Sequence, residues 1–133
     1  MKKTNIAKRR ILVVDDEPLV CDAVAMMLSF DGHQVQTAHS GPEALACLER
    51  EPFDLVITDY AMPEMRGDEL AQQILLRHPQ MPILMITAHA EALAANKVPL
   101  PGVAMVLSKP FMLNTLREAI EKACPTSTTA PSS

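Results

Sequence analysis

"ILVVDDEP" (Ile11–Pro18) sets four apolar residues directly before three acids and a proline. The apolar run has the length of a short buried strand, and Pro18 suits the first turn of a following helix. A solvated turn between the two needs one polar residue, at most two. Asp15, Asp16 and Glu17 supply three, and adjacent carboxyls repel one another unless something positive sits among them. The stretch predicts a strand whose end is arranged to receive positive charge.

Outward from it, the chain alternates between the strand period and the helix period. Val20, Ala23, Val24, Met27 and Leu28 recur on one helical face, which Asp31-Gly32 stops. "QVQTA" (34–38) alternates as a second strand. Ser40 is placed to cap a second helix, with Pro42 in its first turn and Glu43 completing a capping box. Ala44, Leu45 and Leu48 form the inner face of that helix. "DLVIT" (54–58) is apolar enough for a strand buried on both faces. Leu70, Ala71, Ile74 and Leu75 mark a third helix that ends before Pro79. "PILMIT" (82–87) is the fourth strand. Residues 91–97 make a helix cut short by Pro99 and Pro101, and "VAMVL" (103–107) is the fifth strand. Leu113, Leu116 and Ile120 give the last helix. Strict alternation of strand and helix predicts an α/β domain, a parallel sheet with helices on both faces. One domain is expected over 10–124, between a basic solvated arm over 1–9 and a polar tail over 125–133 with nothing to bury.

Composition narrows the function classes. A chain of 133 residues with 48% hydrophobic residues suits one domain around one core. A net charge of −4 and an aromatic share of 3% without Trp argue against a general nucleic-acid binder. No apolar run approaches the ~20 residues of a membrane span, and "ILVV" is too short for a signal-peptide core. Cys21, Cys47 and Cys124 lack metal-type spacing and read as reduced thiols, in keeping with a cytoplasmic location. His33, His39, His78 and His89 are too dispersed for a zinc site. Gly32, Gly41, Gly67 and Gly102 are scattered, so no phosphate-binding loop is present. The methionines fall mostly on core periodicities.

In an open α/β sheet, ligands bind outside the carboxyl ends of the strands. Those ends carry Asp15-Asp16-Glu17, Thr58-Asp59-Tyr60, Thr87-Ala88 and Ser108-Lys109-Pro110. If the sheet is parallel, three aspartates, a hydroxyl and an ammonium meet on one rim. Asp15, Asp16 and Asp59 form an oxygen-rich site suited to a hard cation such as Mg2+, which often also holds a phosphoryl oxygen. Lys109 and Thr87 would serve the remaining oxygens. Each residue also has a plainer reading: Asp16 as the cap of the helix at Pro18, Lys109-Pro110 as a turn, Thr87 as a strand-end residue, His89 as a surface helix start. The joint placement at four strand ends carries the inference.

"ILVVDDEP", "DLVITDYAMPEMRGDEL", "PILMITAHA" and "VLSKPF" stand in an order and spacing that resemble the receiver domain of response regulators in two-component signalling, over about residues 10–124. The resemblance implies a flavodoxin-like, doubly wound (βα)5 fold with strand order 2-1-3-4-5. It implies Asp59 as the phospho-acceptor, and Asp15, Asp16, Asp59 and the backbone carbonyl of Ala61 as the Mg2+ shell. Thr87 matches the switch hydroxyl and Lys109 the lysine that pairs with the phosphoryl group. The Lys109-Pro110 bond is expected to be cis. The donor would be a sensor histidine kinase or a histidine phosphotransfer protein, and the chain would catalyse only its own phosphorylation and dephosphorylation.

One position departs from the family. Relatives usually carry Tyr or Phe three residues before the lysine, where this chain has Val106. The family's usual coupling of hydroxyl to ring is therefore in question here. The short polar tail leads to the expectation of a receiver without a DNA-binding or membrane domain, acting on an unknown downstream protein. It would be either stand-alone or the receiver fragment of a longer regulator or hybrid histidine kinase. Two other classes stay open. One is a receiver-like interaction module that works without phosphorylation. The other is a Mg2+-dependent phosphatase, although "TDYAM" lacks the second acid of that class's Asp-x-Asp loop.

Overall fold

The computed structural model describes residues 8–124. Most of the expected basic arm and all of the expected polar tail lie outside the described residues. Strands and helices alternate in the order β1 (Arg10–Val14), α1 (Pro18–Phe30), β2 (Gln34–Ala38), α2 (Gly41–Arg50), β3 (Leu55–Asp59), α3 (Gly67–Arg77), β4 (Ile83–Thr87), α4 (Ala90–Ala95), β5 (Met105–Ser108) and α5 (Leu113–Ala123). All pairings are parallel and the sheet order is β2-β1-β3-β4-β5. The doubly wound fold is as the sequence predicts.

The strand period of two builds two apolar layers from one sheet. Ile11 and Val13 face α1 and α5, where they pack with Cys21, Val24, Leu28, Leu116, Ala119 and Ile120. Leu12 and Val14 face the other way, onto Ala44, Cys47 and Leu48 of α2 and Leu70, Ala71 and Ile74 of α3. β1, β3 and β4 are central strands buried on both sides. This is why they read as unbroken apolar runs, while the edge strand β2 alternates.

Several boundaries differ from expectation, each for a local reason. β3 runs one residue later than predicted, so Asp59 is the last strand residue rather than the first of a loop. The amide of Asp54 donates to the Arg10 carbonyl before the ladder begins. β5 starts at Met105, not 103, because Gly102 turns at φ +82 and the Val103 amide is used by the Leu100 carbonyl. α4 ends at Ala95, where Lys97 enters the left-handed region at φ +52. On α1, Ala23 is exposed and Cys21 is buried instead. Ser40 does cap α2, accepting from the Glu43 amide, but the Glu43 carboxylate takes the amide of His39 rather than that of Ser40. Arg9, assigned to the solvated arm, is 7% exposed. Its backbone amide donates to Nδ1 of His33 at 3.0 Å and its guanidinium to the carbonyl of Cys124 at 2.5 Å. Met26 and Met112 stand exposed, not in the core, and Met26 shares the outer side of α1 with Leu19 and Phe30.

Candidate functional site at the carboxyl end of the sheet

The chain winds from β1 outward to β2, then returns past β1 to β3. Neighbouring carboxyl ends at such a reversal leave a crevice between diverging loops. β1 and β3 are those neighbours, with Val14 paired to Thr58. Asp15 and Asp16 follow the first strand and Asp59 ends the second, so the pairing brings the three acids to one place. One carboxylate oxygen from each lies within 4.8 Å of the others. Asp15 and Asp59 are buried and Asp16 is half-buried.

Lys109 enters from the end of β5 and joins the cluster. Its Nζ stands 3.1 Å from Asp15 Oδ2 and 3.1 Å from Asp59 Oδ1. The Lys109 main chain is tied in place because its amide donates to the Thr87 carbonyl at 2.9 Å, which fixes the end of β5 against β4. The Lys109-Pro110 bond is cis, as the resemblance implies. One ammonium against three carboxylates leaves the crevice short of positive charge. Burial pushes the Asp59 carboxyl above its ordinary value; Lys109 opposes that shift, and the neighbouring charges of Asp15 and Asp16 add to it. Burial alone would favour a neutral Lys109, but its hydrogen bonds to Asp15 and Asp59 more than offset this and raise its pKa. The donor set is all oxygen, crowded and net negative, which fits a hard cation such as Mg2+.

The remaining predicted residues fall around this core. Thr87 is buried, and its hydroxyl accepts from the His89 amide at 2.9 Å, so it is held on its own turn. His89 is the exposed residue before α4, as its plainer reading has it. Ala61 lies exposed in the loop leaving β3. The helix-cap reading of Asp16 finds no support: α1 starts from Glu17 without a side-chain cap, and it is Asp15 Oδ1 that accepts the Glu17 amide, at 3.0 Å. Val106 is half-buried on β5 opposite Met85.

Residues to which the sequence assigned no role at the site also shape it. Thr58 is fully buried and its hydroxyl donates to the Asp59 carbonyl at 3.0 Å. The Tyr60 amide donates to the Ile86 carbonyl, and the Gly67 amide to the Tyr60 carbonyl at 2.8 Å. Cys21 lies beneath Asp15, its thiol directed at the Asp15 carbonyl at 3.3 Å, and burial followed by the Asp15 charge pushes it up to about 11. It is an inert packing thiol. A threonine before the strand-end aspartate and a glycine opening the next helix were the available signals. Neither is specific alone.

Known proteins are similar to this chain in sequence and fold. The family model described as response regulator receiver domain matches residues 11–121. The transcriptional regulatory protein GlrR of Escherichia coli is 39% identical over 113 residues, which is 85% of this chain and 26% of that protein. The response regulator protein PilR of Pseudomonas aeruginosa is 36% identical over 118 residues, 89% of this chain and 26% of that one. The chain thus spans about a quarter of the length of these curated relatives. Among solved structures, the chemotaxis protein CheY4 of Vibrio cholerae superposes with a TM-score of 0.76 at 31% identity, covering 88% of this chain and 99% of its own. The response regulator TrrA of Thermotoga maritima, solved with Mg2+ and BeF, gives 0.74 at 31%, covering 86% and 98%. Fold, strand order and a match across nearly the whole described domain agree: this chain belongs to the response regulator receiver domain family of two-component signalling.

Proposed function

We propose that this receiver takes a phosphoryl group onto Asp59 from a phosphohistidine, on a sensor histidine kinase or a histidine phosphotransfer protein, and signals through protein contacts. The observation that carries the reading is the convergence of Asp15, Asp16 and Asp59 with Lys109 bridging two of them. Asp15, Asp16, Asp59 and the Ala61 carbonyl would hold Mg2+, which when bound supplies positive charge to the phosphoryl oxygens. The Asp59 carboxylate attacks phosphorus in line. A carboxyl O–P bond forms as the N–P bond breaks, and its electron pair leaves on the imidazole, which takes up a proton. Lys109, already on Asp59, neutralises charge that builds on the transferred oxygens. The Thr87 hydroxyl exchanges its bond with the His89 amide for one to the phosphoryl group. Water later cleaves the acyl phosphate, so the chain catalyses only its own phosphorylation and its reset.

The donor needs a place to dock beside Lys109. A largely apolar groove of about 320 Å3 lies there, lined by Leu19, Val20, Ala23, Met27 and Phe111. Leu19 is 82% exposed, an apolar side chain left for a partner to cover. Among the described residues no helix is long and apolar enough to cross a membrane. Since the relatives are about four times as long, the same chemistry would equally serve the receiver portion of a longer regulator.

Incubation with acetyl phosphate and Mg2+, followed by intact-mass spectrometry, tests the reading. A stable gain of one phosphoryl group is expected. No gain would favour an interaction module that works without phosphate. Rapid donor turnover without accumulation would favour a phosphatase.

A further inference from the structure

The Asp59–Tyr60 peptide is constrained on several sides. Thr58 donates to the Asp59 carbonyl, the Tyr60 amide donates across to β4, and the Tyr60 carbonyl takes the amide of Gly67. Gly67 is the first residue of α3 and is buried. A methyl group at Gly67 would overlap the Asp59 carbonyl oxygen and stand 3.0 Å from Tyr60 Cα. Both are backbone atoms and cannot rotate away. On the other side of the same loop, a methyl at Gly41 would meet Met65 at its Sδ, 2.5 Å away, and at its Cβ. Met62 anchors the loop centre in the core.

We infer that Gly67 is a positioning residue for the nucleophile: by carrying no side chain it lets α3 close onto the Asp59–Tyr60 peptide, and this contact, with Gly41 on Met65 behind it, sets where the Asp59 carboxylate stands relative to Lys109. The inference rests on Asp59 being the phospho-acceptor. Asp15 follows β1 and Lys109 follows β5, and neither supplies the atoms nearest a methyl at Gly67, which are those of Asp59 and Tyr60. A methyl at this point therefore pushes on Asp59 directly, and reaches Lys109 only through its ion pair with the Asp59 carboxylate. Displacement of a reacting group by about 1 Å can cost up to about 10²-fold in rate.

The test uses the full chain, acetyl phosphate and Mg2+, at a temperature where far-UV circular dichroism shows each variant folded. Gly67→Ala should lower the phosphorylation rate at saturating Mg2+ roughly tenfold or more, and because Asp59 is also one of the proposed Mg2+ ligands the half-saturating Mg2+ concentration should rise as well. Gly102→Ala is the comparison. It strains a φ of +82 and strikes Leu75 far from the crevice, so it should lower the melting temperature and leave the rate unchanged. If Gly67→Ala merely loses thermal stability as Gly102→Ala does, the inference is overturned. Should Gly67→Ala not fold, Gly41→Ala takes its place. It pushes the same loop through a softer contact and should slow labelling about two- to threefold, and an unchanged rate overturns the inference. A wild-type chain that accepts no phosphoryl group overturns the proposed function and this inference together. A labelled wild type with an equally fast Gly67→Ala overturns this inference alone.

Discussion

The two ends of the sheet handle charge in opposite ways. At the amino end, the strand starts and the α1–β2 turn carry Arg9, Arg10, Asp31, His33 and Asp54, and their charges are matched. Arg117 grips Asp31 with two bonds of 2.8 and 2.7 Å. The Arg10 amide donates to Asp54, while its guanidinium pairs with Glu51 and stands over the Phe53 ring. Arg9 reaches the Cys124 carbonyl and lies 3.6 Å from Glu121, which joins the first described strand to the last helix. At the carboxyl end, three aspartates share one lysine. Unmatched buried charge costs stability, a cost that a bound cation would relieve. The amino end matches its charges within the fold; in the function proposed above, the carboxyl end leaves its charge for a cation and a phosphoryl group.

The largest effect expected from this contrast is chemical. Asp59→Asn should reduce phosphorylation by acetyl phosphate to below roughly one per cent of wild type, because an amide cannot attack phosphorus. The fold should persist, since the change removes a charge the crevice holds in excess. An undiminished mass shift would place the nucleophile elsewhere.

At the other end the same kind of substitution should act on stability alone. Asp31→Asn removes one half of a two-bond pair and should lower the melting temperature by roughly 5 °C, with phosphorylation per folded molecule unchanged. The effect has a defined pH window. The hydrogen bonds from Arg117 hold the Asp31 carboxyl below its ordinary value of 3.8, burial opposes them, and the charges of Arg117, His33 and Lys8 assist. A depressed carboxyl stabilises the fold above its unfolded value and loses that contribution as pH falls through the folded one. The gap between wild type and Asp31→Asn should therefore be constant near neutrality and close below about pH 3.8. Burial and then Arg9 lower the pKa of His33, so at pH 7 it is neutral and does not obscure the gap there. A gap that persists at low pH would mean that packing, not charge, accounts for Asp31.

A smaller effect concerns how the carboxyl end reports its state. α4 has six residues and none is buried, while Val106 fills half-buried space without a ring to swing. Beryllofluoride with Mg2+ should then increase hydrogen-exchange protection over residues 87–98, with little change over 103–107. A larger change on β5 around Val106 would show that the strand, not the short helix, carries the response.

Much of this was legible in the sequence because it is local or set by topology. Strand runs, caps and prolines are local signals. Once the alternation is read as a parallel sheet, Asp15, Asp16, Asp59, Thr87 and Lys109 must share a rim. The pairing of Asp31 with Arg117 was not legible, because 86 residues separate them and nothing in either neighbourhood marks a partner. Arg9 was read as solvated because long basic side chains usually are, and its burial depends on where α5 ends. The roles of Thr58 and Gly67 depend on backbone approach at ångström scale, which no periodicity encodes.

The most direct test of the contrast is the sign of one stability change. Wild type and Asp16→Ala are melted in chelator and again in saturating Mg2+. In chelator Asp16→Ala should melt a few degrees above wild type, because it relieves repulsion in the crevice. Mg2+ should raise wild type, by about 2.7 kcal/mol at a hundredfold excess over Kd, and reverse the order. If Asp16→Ala is the less stable protein in chelator, Asp16 is a structural residue and the carboxyl end carries no unresolved charge.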